Sequence, residues 1–572
     1  MRININFHNS LYSKIITRAL LKAYETFGLI AALAMSFFYL NASADIYPKN
    51  PDIDIVNYTF RIVLSDETDV IDVESTIDFI FRKKGMSKLS LDFVSISDEL
   101  EGRGMCVLDI TEKGEPVDFK YGSDQLEVYI AASVAENEHR RIAIVYSGIP
   151  ATGLIIAPNM FGDRTFFSRN WPNLGRNWMP LVDHPYDKAT CEFVIYAPER
   201  YKVVSNGLLM EESTVGRGVR KTHWKQSVPI PVWQFALGVA EFAVQYVETF
   251  DGKSIQTWVY KQNRAAGFYD FAVPTKQVLE FYSEYVGPFA YEKLANIQSN
   301  SVGGGMEAAS SIFYGDESVT GERTKRWRNV IIHEVAHQWF GNSVTEYDWD
   351  DVWLSEGFAT YFTLLFIEHA YGRDEFVERL KNAKSLIFKF YKDQPDYRIV
   401  HDGLSDMSKV SNKMTYQKGA WYLHMLRNKM GDVDFRKGIR SYYRKYYNGN
   451  ASTSDLIHEM ESASGQKLGR FFQQWLYQGG NPKLSLEWTY YSNKNSLEIV
   501  LSQTQESGGI FNIPVEIEIV YGETHGSKVE TLNLAKESER FTFHVEHEPV
   551  KLIVDPYTKL LAEWEFSEKE DK

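Results

Sequence analysis

Cysteine is scarce: Cys106 and Cys191 are the two in 572 residues. A disulfide framework therefore does not hold this chain together, and a cysteine-rich structural metal site is excluded. Either the two thiols pair or both are buried and free; spacing alone leaves both readings open. No block of Lys and Arg occurs, and the formal net charge is −14, which argues against nucleic acid as a partner. Long apolar runs are also lacking. The strongest, Phe27 to Leu40, is about 14 residues, short for a bilayer span. It follows Arg2, Lys14, Arg18 and Lys22 and precedes Asn41-Ala42-Ser43-Ala44. Cations, an apolar stretch and a small-residue site read as an export signal over 1–44, cut before Asp45; an N-terminal membrane anchor is the alternative. No stable span remains after removal, and the mature protein is expected to be periplasmic or secreted.

What is present is apolar residue in quantity, 44% hydrophobic and 14% aromatic, enough for packed cores and, at this length, several of them. Val73, Ser75, Ile77, Phe79 and Phe81 alternate with Asp72, Glu74, Thr76 and Asp78, the period of a half-buried strand. Short runs of this kind continue to about Ala243. Helical patterns then take over, at Thr275 to Tyr285, Trp327 to Phe340, Ser355 to Tyr371 and Gln417 to Lys429. Gly479-Gly480-Asn481-Pro482 punctuates the chain. Alternation returns at Leu484, Leu486, Trp488 and Tyr490 and again at Val515, Ile517 and Ile519. The expected fold is a multidomain α+β chain: an all-β domain over 45–243, a catalytic domain over 244–481, and a small β-sandwich over 482–572.

The chemistry concentrates in His333-Glu334-Val335-Ala336-His337. Two histidines four apart share one helix face and suit one Zn²⁺, with a carboxylate beside them to take a proton from water. A helix with two ordinary surface histidines is the plain alternative. Glu356 lowers its weight, because a second helix through it could return a third ligand. Two His and one Glu leave a fourth position for water, the mark of a catalytic zinc site. Gly303-Gly304-Gly305-Met306-Glu307 lies upstream, where glycines allow close backbone approach. Tyr416-Gln417-Lys418-Gly419 lies downstream, where a phenol could donate to an oxyanion. Each segment alone is more often a turn or packing.

Together, in this order and at these separations, the motifs resemble the M1 family of zinc aminopeptidases, the aminopeptidase N and leukotriene A4 hydrolase group. Further likeness lies in Gln338-Trp339-Phe340-Gly341-Asn342, Asn177-Trp178-Met179-Pro180 and Val204-Ser205-Asn206-Gly207. The resemblance implies a saddle-shaped N-terminal β domain and a thermolysin-like catalytic domain. It implies one zinc per chain on His333, His337 and Glu356, and Glu334 as general base. Tyr416 is implied as the transition-state stabiliser, and Glu307 as the anchor of the substrate's α-ammonium. Gly304, Gly305 and Met306 are implied to line the substrate site. The substrates would be peptides with a free N-terminus, and the default assembly a monomer.

Two positions depart from the family pattern. Ala308 stands where the family has Asn after the Glu. Trp171 stands where many members carry a second Glu or Gln for the amine, and no Glu or Gln occurs between Phe161 and Val182; Asp163 and Asn170 are the substitutes in reach. Larger members add a helical domain over the active site, which this reading does not find before Lys572, so a more open cleft is expected. The rival readings are a zinc endopeptidase on the same fold, an epoxide hydrolase, and a secreted binding protein that kept a silent zinc fold.

Overall fold

The computed structural model describes residues 45–130, 135–216, 218–522 and 525–568. The expected export signal lies outside them. The segment read as a half-buried strand forms Ile71–Phe81, with Val73, Ile77, Phe79 and Phe81 at most 3% exposed. It sits inside an eight-stranded sheet in the order Leu208–Gly216, Val219–Pro231, Lys188–Pro198, Ile53–Val63, Ile71–Phe81, Glu138–Ile149, Gly104–Glu112, Glu115–Pro116. Neighbours are antiparallel except Ile53–Val63 and Lys188–Pro198, which run parallel. A four-stranded sheet (Lys202–Ser205, Leu237–Ala240, Arg164–Ser168, Leu154–Pro158) and a three-stranded sheet complete this β-rich part. Cys106 is exposed, Cys191 is buried, and both are free.

From Phe242 a mixed five-stranded sheet begins: Phe242–Phe250, Lys253–Tyr260, Lys293–Ser299, Ser311–Gly315 and, at the edge, Gly305–Met306. The helices that matter for the site follow: α1 (Thr275–Tyr285), α2 (Lys325–His337), α3 (Trp353–Tyr371), α4 (Arg373–Asp393) and α5 (Lys413–Met430). Aromatic packing fixes α2 against α3. Phe340, just past the end of α2, lies 4.7 Å from Phe358 and 4.5 Å from Phe362, centroid to centroid, and is 1% exposed. Burying one such side chain contributes about 1.5–3 kcal/mol, and Trp339, Trp353 and Phe358 add to the same cluster.

Helices α3 and α5 cross where neither has a side chain. A Cβ on Gly419 would stand 2.9 Å from Gly357 Cα, and one on Gly357 would stand 3.1 Å from Gly419 Cα. The pair lets the backbones touch, which brings Tyr416 on α5 alongside Glu356 on α3. A capping box starts α5: the Asn412 side chain accepts from Met414 N at 2.7 Å, and Thr415 Oγ1 accepts from Asn412 N at 3.1 Å. Such a cap contributes about 1 kcal/mol and sets the phase of the helix one residue before Tyr416.

Beyond Leu476 the chain forms a four-stranded sheet (Ser538–His544, Ser496–Gln503, Lys483–Tyr491, Glu563–Glu568) and a three-stranded sheet (Ser527–Leu534, Ile513–Val520, Lys551–Val554). Leu484, Leu486, Ile499, Val515 and Ile517 are buried, as their alternation requires. Among the described residues no helix is long and apolar enough to cross a membrane.

Candidate active site

His333 and His337 fall one turn apart on α2, and α3 delivers Glu356 in its first turn. Three atoms converge: His333 Nε2 to His337 Nε2 is 3.1 Å, His333 Nε2 to Glu356 Oε2 is 3.5 Å, and His337 Nε2 to Glu356 Oε2 is 3.3 Å. Ligands about 2.0–2.2 Å from a tetrahedral zinc stand about 3.4 Å from one another, so the triangle has the size of one zinc coordination face. Among the described residues Glu356 Oε2 is buried and accepts no hydrogen bond of ordinary geometry, the two imidazole nitrogens being its nearest polar neighbours, an orphan that a cation would satisfy. His337 Nδ1 faces the Phe340 carbonyl and Ser355 Oγ, each at 3.1 Å. Donation to that carbonyl leaves Nε2 as the free lone pair, the tautomer a metal ligand needs.

Glu334 and Glu307 join the same pocket. Glu334 is 5% exposed and Glu307 6%, and Glu307 Oε1 is 4.0 Å from His337 Nδ1. Burial, then the like charge of Glu307, drives Glu334 well above the carboxylate range. Burial also raises Glu307, with His337 opposing and Glu356 adding to the rise. Burial works against ionised Glu356, yet the adjacent imidazoles of His333 and His337 outweigh it and hold its carboxyl at about 2. Burial opposes a charge on His337 too, but Glu307 and Glu356 lift it to about 10. Three buried carboxylates thus share two imidazoles, a pocket short of positive charge.

Backbone geometry decides where the two free carboxylates point. Gln338 Nε2 and Asn342 Nδ2 donate to the Glu307 carbonyl at 3.0 and 2.6 Å, pinning that residue to the end of α2. Gly305 lies against Glu334: a Cβ there would stand 2.1 Å from Glu334 Oε1. Tyr416 donates its hydroxyl to Glu356 Oε1 at 2.6 Å, and burial followed by the Glu356 charge keeps the phenol protonated, a donor rather than a base.

A cleft of about 540 Å³ opens over these groups, lined by Gly304, Gly305, Glu307, His333, Glu334, His337, Glu356 and Tyr416. Its far wall is α4, through Arg379, Asn382, Ala383 and Leu386. Met306 is not part of the lining. It turns into the core instead, where it is 8% exposed. Asn170 and Asp163 do not line the cleft either. Asn170 donates to the Phe235 carbonyl and accepts from Trp178 Nε1, and Asp163 accepts from Gln262. The Trp171 ring packs edge-on against Trp349 at 6.1 Å.

The peptidase family M1 domain matches residues 271–475, and the peptidase M1 N-terminal domain matches residues 56–233. The chain belongs to peptidase family M1. It is 29% identical over 366 residues to glutamyl aminopeptidase of Sus scrofa, covering 60% of this chain and 38% of that protein. It is 24% identical over 508 residues to probable aminopeptidase 2 of Sulfurisphaera tokodaii, covering 84% of this chain and 62% of that one. The chain thus spans less than two thirds of the length of either relative. A crystal structure of an M1 zinc metallopeptidase variant from Deinococcus radiodurans superposes with a TM-score of 0.64 at 23% identity, over 76% of this chain and 96% of that one, a likeness of fold.

For this M1 peptidase, motif reading alone did not reach Ser355, Gln338, Asn342 or the Gly357–Gly419 crossing. Asn342 and Gln338 lie in a segment that carried the family resemblance, which was the available signal. The two crossing glycines carried none, since a helical glycine has no partner until the fold supplies one.

Proposed function

We propose that the chain is a zinc-dependent aminopeptidase that removes the N-terminal residue of peptides. The observation that carries this reading is Glu307: a buried carboxylate in the metal cleft with no Lys or Arg within ion-pair distance among the described residues. Its one ion-pair neighbour among the described residues is His337, which as a zinc ligand is neutral, so the cation comes from outside, and a peptide α-ammonium is the one an exopeptidase must recognise. The names of the relatives and the orphaned Glu356 oxygen support the same reading.

Zinc held by His333, His337 and Glu356 would supply Lewis acidity and lower the pKa of water in the cleft. The remaining work falls to the chain. Glu307 holds the ammonium, which places the first peptide carbonyl over the ligand triangle. Gly304 and Gly305 leave the rim of the edge strand bare, so the substrate backbone can lie against it. Glu334 takes a proton from the attacking water and passes it to the leaving nitrogen; burial beside a second carboxylate makes it a better base than a solvated Glu. Tyr416 donates a hydrogen bond to the carbonyl oxygen as that oxygen gains charge.

On this reading the sheet and helices of 244–481 form a thermolysin-like unit between the β domain of 45–243 and the sandwich of 482–572. The protein is an exported monomer, periplasmic or secreted. Purified protein should hydrolyse aminoacyl-anilides, lose activity to a chelator and regain it with zinc. Glu334→Gln should bind zinc and lack turnover. A wild-type protein loaded with one zinc and inert toward every anilide would favour the silent binding protein.

A further inference from the structure

Asp45, the residue after Asn41-Ala42-Ser43-Ala44, is held deep in the structure. It is 5% exposed, and its side chain 1%. Its backbone nitrogen donates to Asp348 Oδ1 at 2.9 Å. Its carboxylate accepts from Trp349 N at 3.0 Å and Tyr47 N at 3.1 Å, and faces His184 Nε2 at 2.7 Å. Lys49 Nζ bridges Asp45 Oδ1 and Asp348 Oδ2, both at 2.8 Å. The cluster therefore holds two carboxylates against one ammonium. His184 does not make up the difference, since burial outweighs Asp45 and lowers its pKa. A buried cluster short of one positive charge is costly, and a main-chain amide at Asp45 cannot supply it. A chain terminus at the same nitrogen can, with three N–H donors and a full charge.

We propose that the Ala44–Asp45 bond is cut during maturation and that the new α-ammonium of Asp45 pairs with Asp348, completing the cluster. Water adds across the bond. Ala44 leaves with the carboxylate, and Asp45 keeps the amine, which takes up a proton. The enzyme required is an export peptidase that reads small side chains, here Ala42 and Ala44. The pairing bears on the active site. Asp348 accepts from Asp350 N at 3.0 Å and caps the turn Trp349–Asp351, which runs into α3 and places Glu356 in its first turn. Processing thus fixes the start of the helix that carries the third metal ligand. It also places the protein's own N-terminus out of reach of aminopeptidase chemistry. The inference rests on the export reading and is independent of the aminopeptidase reading.

The test exports the full-length chain from a bacterial host and sequences the N-terminus of the product. The α-amine is then reductively dimethylated at neutral pH, native and in denaturant, and quantified by mass spectrometry of the N-terminal peptide. The sequence should begin Asp45-Ile46-Tyr47, and native labelling should be slower by about tenfold or more, as expected for a buried charge-paired amine. Asp348→Asn should lose most of that protection. A different first residue, or native labelling at the denatured rate, would overturn the proposal. The wild-type comparison decides the matter even if Asp348→Asn fails to fold, and neither arm depends on turnover.

Discussion

Gly305→Ala offers a sharp test of how the edge strand seats Glu334, the proposed general base. The new methyl group would stand 2.1 Å from Glu334 Oε1, 2.2 Å from Cδ and 2.4 Å from Cγ. Ordinary contact begins near 3.4 Å, so the carboxylate must retreat by about 1 Å or more. A misplacement of that size costs about 10² in rate, or about 2.7 kcal/mol of barrier. The ligand triangle is not among the nearest atoms, so zinc stoichiometry should be unchanged. Gly303→Ala is the matched control, since a Cβ there meets nothing within 4 Å. The assay is kcat on an aminoacyl-anilide with metal content measured in parallel. Gly305→Ala with one zinc and kcat within threefold of wild type would refute the argument that bare backbone at 305 holds Glu334 in place.

Tyr416→Phe removes the hydroxyl that donates to the Glu356 carboxylate and should lower kcat by about 10²–10³ with zinc retained; near-normal turnover would reject its role as an oxyanion donor. Asp187 is buried, and burial, then the charge of Asp54, against a bond from Ile55 N, raises its pKa to about 8. Its folded-state pKa lies above the unfolded value of 3.8, so the stability it confers is present below pH 3.8 and lost as pH rises through 8. Asp187→Asn should flatten that slope and raise the unfolding free energy from urea titration at pH 8 by about 2 kcal/mol or more; parallel pH profiles for variant and wild type would contradict it.

The catalytic signal was legible because it is local. His333 and His337 share a face through helix spacing alone, and α1, α2, α3 and α5 fall within a few residues of the segments whose periodicity predicts them. α4 was not read, although Phe376, Leu380, Ala383, Ile387 and Tyr391, its buried residues, follow the helical period; its dense charge masked the stripe. Contacts between distant segments were out of reach. Gly305 reads as flexible until Glu334 is placed beside it, Gly419 as a helix weakness until Gly357 arrives, and Asp45 as the first residue after a cut until Asp348 meets it 303 positions on. The motif names Met306 without naming its face; in the fold Met306 is buried and lies outside the lining of the cleft.

The most direct test of the central claim compares free-amine and N-acetylated forms of the same aminoacyl-anilides and short peptides, with zinc-loaded wild type and Glu307→Ala. Chelator-sensitive cleavage of the free-amine forms, with the acetylated forms slower by about 10² or more and that discrimination lost in Glu307→Ala, is the predicted result for a buried charge-assisted anchor. Equal cleavage of free and blocked substrates by the wild type would contradict it and establish an endopeptidase on this fold.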